Sequence, residues 1–107
     1  MGAGKLINPG RQFTALSLGA DACYTARGFM MALGCIQALQ CNANTCPVGI
    51  TTHHAHLQKG LDIEEKSNRV ANYVHSLVHD HEELLASLGA QSINNLSDKN
   101  LYLEGKY

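Results

Sequence analysis

Seven apolar residues in the second half of the chain, Val70, Val74, Leu77, Val78, Leu84, Leu85 and Leu88, fall largely on one stripe of a helical repeat. A stripe of that length commits the chain to one long amphipathic helix. Its start is marked by Asp62-Ile63-Glu64-Glu65, an acidic first turn in which Asp62 and Glu65 have capping-box spacing, with Asp in place of the usual Ser or Thr. The acidic pair Glu64-Glu65 complements the positive end of the helix dipole. Gly89 closes the pattern. The sequence therefore predicts a helix over 62–89, and a chain of 107 residues has room for only one small domain around it.

Asn8-Pro9 reads as a second helix start. Asn is a favoured N-cap, and the missing N–H of Pro does no harm at the first helical position. That helix runs through Phe13, Leu16 and Leu18 to Gly19. Ala22-Cys23-Tyr24-Thr25-Ala26 is short and rich in strand formers, and is expected to be a strand. From Phe29 to Leu39 the chain is apolar nearly all round, which predicts a buried helix with Gly34 inside it, where something packs close to the backbone. Residues 41–52 are broken by Asn42, Asn44, Pro47 and Gly49, a short polar segment follows over 53–60, and 92–107 reads as a short helical turn followed by a loose tail. The expected class is mainly α with one or two short β-strands. A lone strand cannot satisfy its own backbone groups, so its neighbours are expected in a larger fold or another chain.

Hydrophobic residues make up 45% of the chain and charged residues 16%, too apolar for a disordered or solvating segment. A net charge of −1 gives no electrostatic case for nucleic acid or an anionic membrane surface. No apolar run is long enough to span a membrane, and MGAGKLINPG has neither the charged start nor the apolar core of a secretion signal. The expectation is a cytoplasmic protein whose four cysteines stay reduced.

Three of those cysteines, Cys35, Cys41 and Cys46, are spaced C-x5-C-x4-C with Pro47 directly after the last. Soft thiolate ligands select iron–sulfur clusters, zinc or Cu(I). Three thiols without an obvious fourth suit a three-iron cluster. They also suit a Cys3His zinc site completed by His53, His54 or His56. The plain alternative is that Cys35 fills the core and the loop thiols are idle. Cys23, in the expected strand, reads as packing. His75 and His79 stand four apart on the long helix near Glu82 and Glu83, a ligand spacing that also arises often by chance.

The run GADACYTARGFMMALGCIQALQCNANTCPVGITTH resembles the FMN-binding synthase domain of the glutamate synthase family, and GCIQALQCNANTCPVG is its most specific part. The similarity extends from about Gly4 to about Gly89. The resemblance implies that Cys35, Cys41 and Cys46 bind a [3Fe–4S] cluster beside the flavin. It also implies that Gly4, Lys5, Arg27 and Gly28 face the FMN phosphate, as loops after the last strands of such barrels commonly do. Read alone, Gly4 and Gly28 would be turn glycines and Arg27 a surface charge. Ala3 stands where the family's stretch usually has Ser. Family members often carry Asp-Pro near His53–His56, which argues against a required imidazole there.

The implied fold is the C-terminal quarter of a TIM (β/α)8 barrel plus C-terminal helices. Residues 1–28 would form the last strand and helix units, 29–52 the buried helix and iron–sulfur loop, and 62–89 the long helix. The implied activity is that of an oxidoreductase acting on CH–NH2 donors, in which electrons pass from cluster to FMN for reductive synthesis of L-glutamate from 2-oxoglutarate. Asn42, Asn44 and the loop amides are candidates for hydrogen bonds to sulfur. A whole barrel needs roughly 200 residues or more. The chain alone is therefore expected to be inactive, to retain little flavin, and to need the missing part of the barrel and an electron donor as partners. No catalytic residue is assigned. A small structural zinc-binding module and a non-functional remnant remain the competing readings.

Overall fold

The first helix begins as the chemistry of Asn8 and Pro9 dictates. In the computed structural model, which describes residues 1–102 and 104, the Asn8 side chain accepts the Arg11 N–H at 2.9 Å, and Pro9 opens α1 (Pro9–Ser17). Three further helices follow: α2 (Arg27–Ala32), α3 (Ala55–Gln58) and α4 (Ile63–Ser87). Short 3₁₀ turns lie at Cys41–Ala43, Ile93–Asn95 and Asp98–Asn100. The mainly helical expectation holds. At the start of α4, Asp62 Oδ1 accepts the Glu65 N–H at 2.7 Å, so the predicted cap is formed. The turns at 93–95 and 98–100 answer to the expected helical turn, while of the expected loose tail Leu103 and residues 105–107 lie outside the described residues.

The strand expected over Ala22–Ala26 is reduced to one bridge. Gly2 N–H donates to Ala22 O at 2.7 Å and Tyr24 N–H donates to Gly2 O at 2.8 Å, pairing Gly2 with Cys23 in parallel. The two paired segments flank α1, the order of a β-α-β crossover. Gly2 offers only one register of bonds, so the remaining strand formers have no ladder to join.

The buried helix expected over Phe29–Leu39 is also corrected. α2 stops at Ala32, because Gly34 is not interior but the residue just past the end. Gly34 has φ +101°, its N–H donates to Met31 O at 2.9 Å, and the Cys35 N–H donates to Met30 O at 3.0 Å. These two bonds make a Schellman cap. α1 and α4 end in the same way, through Gly19–Ala20 and Gly89–Ala90. Beyond the cap the chain is irregular, and Ile36 (65%) and Leu39 (83%) are exposed rather than packed.

The chain divides into two compact units, Met1–Ala26 with Ser76–Tyr107, and Arg27–His75. In the first, Leu6, Gln12, Phe13 and Ser17 are buried. Phe13 lies against the His81 ring at 5.8 Å, and α1 packs on the turn at Asp98–Asn100. Gln12 Nε2 donates to Leu6 O at 2.9 Å while its Oε1 pairs with His81 Nε2 at 2.8 Å. Burial holds the His81 pKa below its ordinary 6.5, with the Asp80 carboxylate opposing. Cys23 is half-buried, its thiol 3.8 Å from Gln12 O, in keeping with a packing role. In the second unit Phe29 and Tyr73 meet edge to face at 5.2 Å. α4 is a helix as predicted, yet none of its residues is fully buried, and Val78 and Leu88 are exposed. No helix of the described residues is long and apolar enough to cross a membrane.

Candidate functional site

The Schellman cap of α2 sets where the first cysteine of the motif enters. Cys35 follows Gly34 with its own N–H already bonded, and its Sγ accepts the Gln37 N–H at 3.4 Å. Gln37 and Leu39 then take left-handed conformations, φ 57° and 58°, and turn the chain into the 3₁₀ turn that Cys41 opens. Cys41 is exposed. The loop between Cys41 and Cys46 is braced from both sides. Thr45 Oγ1 donates to Gln40 Oε1 at 3.0 Å, and Thr52 Oγ1 donates to Asn44 O at 2.7 Å. Asn44, with φ 61°, accepts the His53 N–H on its side-chain oxygen at 2.6 Å. Asn44 thus serves the loop backbone through its side-chain oxygen.

Cys46 is the buried member of the trio, 8% exposed. Its thiol pKa is lowered from 9.0 to about 7. The Thr51 N–H beside the sulfur is the largest cause; burial works against it, and the Val48 N–H, the Thr51 hydroxyl and the Ile50 N–H add to the lowering. Thr51 Oγ1 is buried and makes no hydrogen bond among the described residues. Gly49 lets the chain fold back this sharply. It has φ +81°, and a Cβ there would overlap the Leu57 carbonyl oxygen and stand 3.2 Å from Gln58 Cα. The turn is stitched by the Gly49 N–H donating to Cys46 O at 3.3 Å. Backbone N–H groups near the sulfur favour the thiolate, the form in which cysteine is a ligand.

No group of three or more His, Cys, Asp or Glu among the described residues is arranged to hold a single metal ion. Four ligands on one zinc stand about 2.3 Å from it as thiolates, so their sulfurs must crowd within about 4 Å of each other. Cys35, Cys41 and Cys46 with His53, His54 or His56 do not do so, which leaves the zinc reading without support. In a multi-iron cluster each thiolate meets a different iron, so the sulfurs need no such crowding. The donor set suits that kind of centre: three thiols on adjoining turns, with Cys35 already accepting a backbone N–H and Cys46 lowered in pKa by nearby N–H groups. The His54 and His56 rings lie 5.7 Å apart. His79 pairs with Glu83 at 3.3 Å on an exposed face, an ordinary i,i+4 pair.

The four residues expected at the flavin phosphate fall in both units. Gly4 (φ 106°) and Lys5 (φ 55°) make a left-handed turn in the first, with Lys5 exposed and nothing within 4 Å of the position a Gly4 Cβ would take. Lys5 O accepts from Arg11 Nη1 at 3.3 Å. In the second unit Arg27 is exposed and Gly28 buried in the first turn of α2. The open, left-handed backbone at Gly4–Lys5 is the kind of surface a phosphate can approach closely.

Sequence reasoning named the loop amides as donors to sulfur but could not say that those of Val48, Ile50 and Thr51 serve Cys46, since backbone N–H groups carry no side-chain signature. Gly49, directly after Pro47-Val48, was the available hint. It also missed Lys66 and Arg69, whose cationic ends lie over Gly34, and the Gln12–His81 pair.

Residues 1–91 match the family model described as the conserved region in glutamate synthase. The chain belongs to the glutamate synthase family. It is 49% identical over 90 residues to a glutamate synthase large subunit-like protein, YerD, of Bacillus subtilis, across 84% of this chain and 17% of that protein. It is 40% identical over 93 residues to an archaeal glutamate synthase (NADPH) of Methanocaldococcus jannaschii, across 87% of this chain and 18% of that one. With the glutamate synthase (NADH) of Schizosaccharomyces pombe it shares 36% identity over 97 residues, 87% of this chain and 4% of that protein. No solved structure matches the chain. The chain thus spans about a fifth or less of the length of these glutamate synthase relatives.

Proposed function

We propose that this chain is the cluster-bearing segment of a glutamate synthase-like oxidoreductase, in which Cys35, Cys41 and Cys46 ligate a [3Fe–4S] cluster. The observation that carries the reading is the braced loop that holds three free thiols on adjoining turns, with Cys46 buried in it and its thiol pKa lowered to about 7. A thiol buried in apolar surroundings is normally raised, and here the neighbouring N–H groups outweigh that effect. When bound, the cluster supplies one-electron transfer to FMN, and the reduced flavin serves reductive synthesis of L-glutamate from 2-oxoglutarate. The chain's own residues hold and shield. Cys46 is presented as thiolate from a buried turn, Cys35 accepts the Gln37 N–H, and the exposed Cys41 closes the set.

Gly4, Lys5, Arg27 and Gly28 are proposed as part of the FMN phosphate site, Lys5 and Arg27 through charge and the glycines through close backbone approach. The β-α-β order across α1 supports a place for residues 1–28 among the last units of a (β/α)8 barrel. The remaining barrel and an electron donor are the partners this assigns, in the cytoplasm, and the chain alone is inactive and retains little flavin.

The test is anaerobic reconstitution of the chain with ferrous iron and sulfide. The expected product is brown, holds about three irons and four sulfides per chain, and gives the EPR signal of an oxidised three-iron centre. Cys35→Ser, Cys41→Ser and Cys46→Ser should each abolish it, whereas Cys23→Ser should not. Equal iron in the Cys46→Ser variant, or stoichiometric zinc in place of iron, would overturn the reading.

A further inference from the structure

Two cations converge where the described residues offer them one carboxylate, that of Glu65. Lys66 Nζ and Arg69 Nη1, both on α4, each stand 3.5 Å from the point where a Cβ of Gly34 would sit. Lys66 is largely covered, its side chain 14% exposed, and its one ion pair among the described residues is a 3.6 Å contact with the exposed carboxylate of its chain neighbour Glu65. Among the described residues no hydrogen bond or ion pair involves the Arg69 guanidinium. Holding two like charges on one point, one of them mostly out of water, is unfavourable unless a negative charge sits nearby. The carbonyl end of α2 lies at this turn, but α2 is a six-residue helix whose last turn is already bonded by the Gly34 and Cys35 N–H groups. Cys35 is the very next residue after Gly34.

We infer that Lys66 and Arg69 are positioning residues that supply the counter-charge to an anionic iron–sulfur centre at Cys35, Cys41 and Cys46, and so set its reduction potential. The inference rests on the proposed cluster and goes beyond it. Three thiolates around a [3Fe–4S] core leave the centre with net negative charge. Uptake of one electron from an external reductant makes it more negative by one unit, with no bond made or broken. A fixed positive charge beside it stabilises the reduced form more than the oxidised one and raises the potential.

The experiment is a dithionite titration of the reconstituted chain, followed by EPR, with iron and sulfide counted first. Lys66→Gln and Arg69→Gln are each expected to move the midpoint to a lower potential, and the double variant further. Lys66→Arg should restore the wild-type midpoint. Intact clusters with unshifted midpoints in Lys66→Gln and Arg69→Gln would overturn the inference while leaving the cluster reading standing. A wild-type chain that takes up no cluster overturns the cluster reading, and this inference with it, before any potential is measured. Should Lys66→Gln lose its helix content, the more exposed Arg69→Gln decides. A cluster lost in Lys66→Gln at unchanged helix content and regained in Lys66→Arg counts for the inference.

Discussion

Gly49→Ala should damage the Cys46 turn in two measurable ways. At φ +81°, a non-glycine residue costs about 1–2 kcal/mol relative to glycine. The added methyl also overlaps the Leu57 carbonyl oxygen and lies 3.2 Å from Gln58 Cα, both backbone atoms that cannot rotate away. Relieving such overpacking costs about 1–3 kcal/mol more. The expected loss is thus about 2–5 kcal/mol, a large part of a small domain's stability. The move that relieves the overlap separates the loop from α3 and carries the Ile50 and Thr51 N–H groups off the sulfur. Since those donors hold the thiol at about 7 against an ordinary 9.0, its pKa should climb toward 9.0. At pH 7 the thiolate share then drops from about half to about 1%. The assay is the pH profile of Cys46 labelling by a disulfide reagent, read by peptide mapping; the midpoint is used because burial slows the absolute rate. Thr51→Val removes the hydroxyl and keeps the N–H, so it should raise the midpoint by less. A Gly49→Ala chain with its midpoint still near 7 and its urea stability within about 0.5 kcal/mol of wild type would falsify the account of the turn.

Asn8→Ala removes the side chain that accepts the Arg11 N–H and should cost about 1 kcal/mol in urea unfolding, with the loss confined to α1 by amide exchange. Asp62→Ala should cost a similar amount at the start of α4, and a chain unaffected by both changes would show that these caps do not govern the helix starts. His81 has a folded pKa below its ordinary 6.5, so the unfolded chain binds the extra proton first. Its contribution is full above pH 6.5 and fades as pH falls through and below that value. Relative to His81→Gln, the wild type should therefore lose urea stability between about pH 8 and 5; parallel curves would sink the assignment.

The helix starts were legible because each is written in one or two side chains. Asn8 and Asp62 accept the N–H groups three residues on, as their spacing predicts. The long stripe through Val70 to Leu88 was legible for the same reason: periodicity is a local property of the chain. What failed was inference about what covers a surface. The apolar run from Phe29 to Leu39 was read as a buried helix because apolar residues demand a partner, yet the choice between helix interior and helix end at Gly34 rests on two backbone bonds that composition does not encode. Ala22–Ala26 failed likewise, since a strand exists only to the extent that a neighbour pairs with it, and Gly2 pairs with one residue.

The three cysteines were legible as candidate ligands from their spacing and their resemblance to a known family, while which loop amides would serve Cys46 was not. A thiolate is stabilised by donors, and the strongest here are main-chain N–H groups that every residue but proline possesses. Only the fold decides which of them point at sulfur. Gly49 is where sequence and fold meet: a residue without a side chain permits the turn, and the turn brings Val48, Ile50 and Thr51 around Cys46. The same reasoning applies at Gly34, where the missing side chain leaves room for Lys66 and Arg69 over the turn that precedes Cys35. In both places the informative residue for the cysteine is the glycine beside it, and the chemistry resides in what the glycine lets approach.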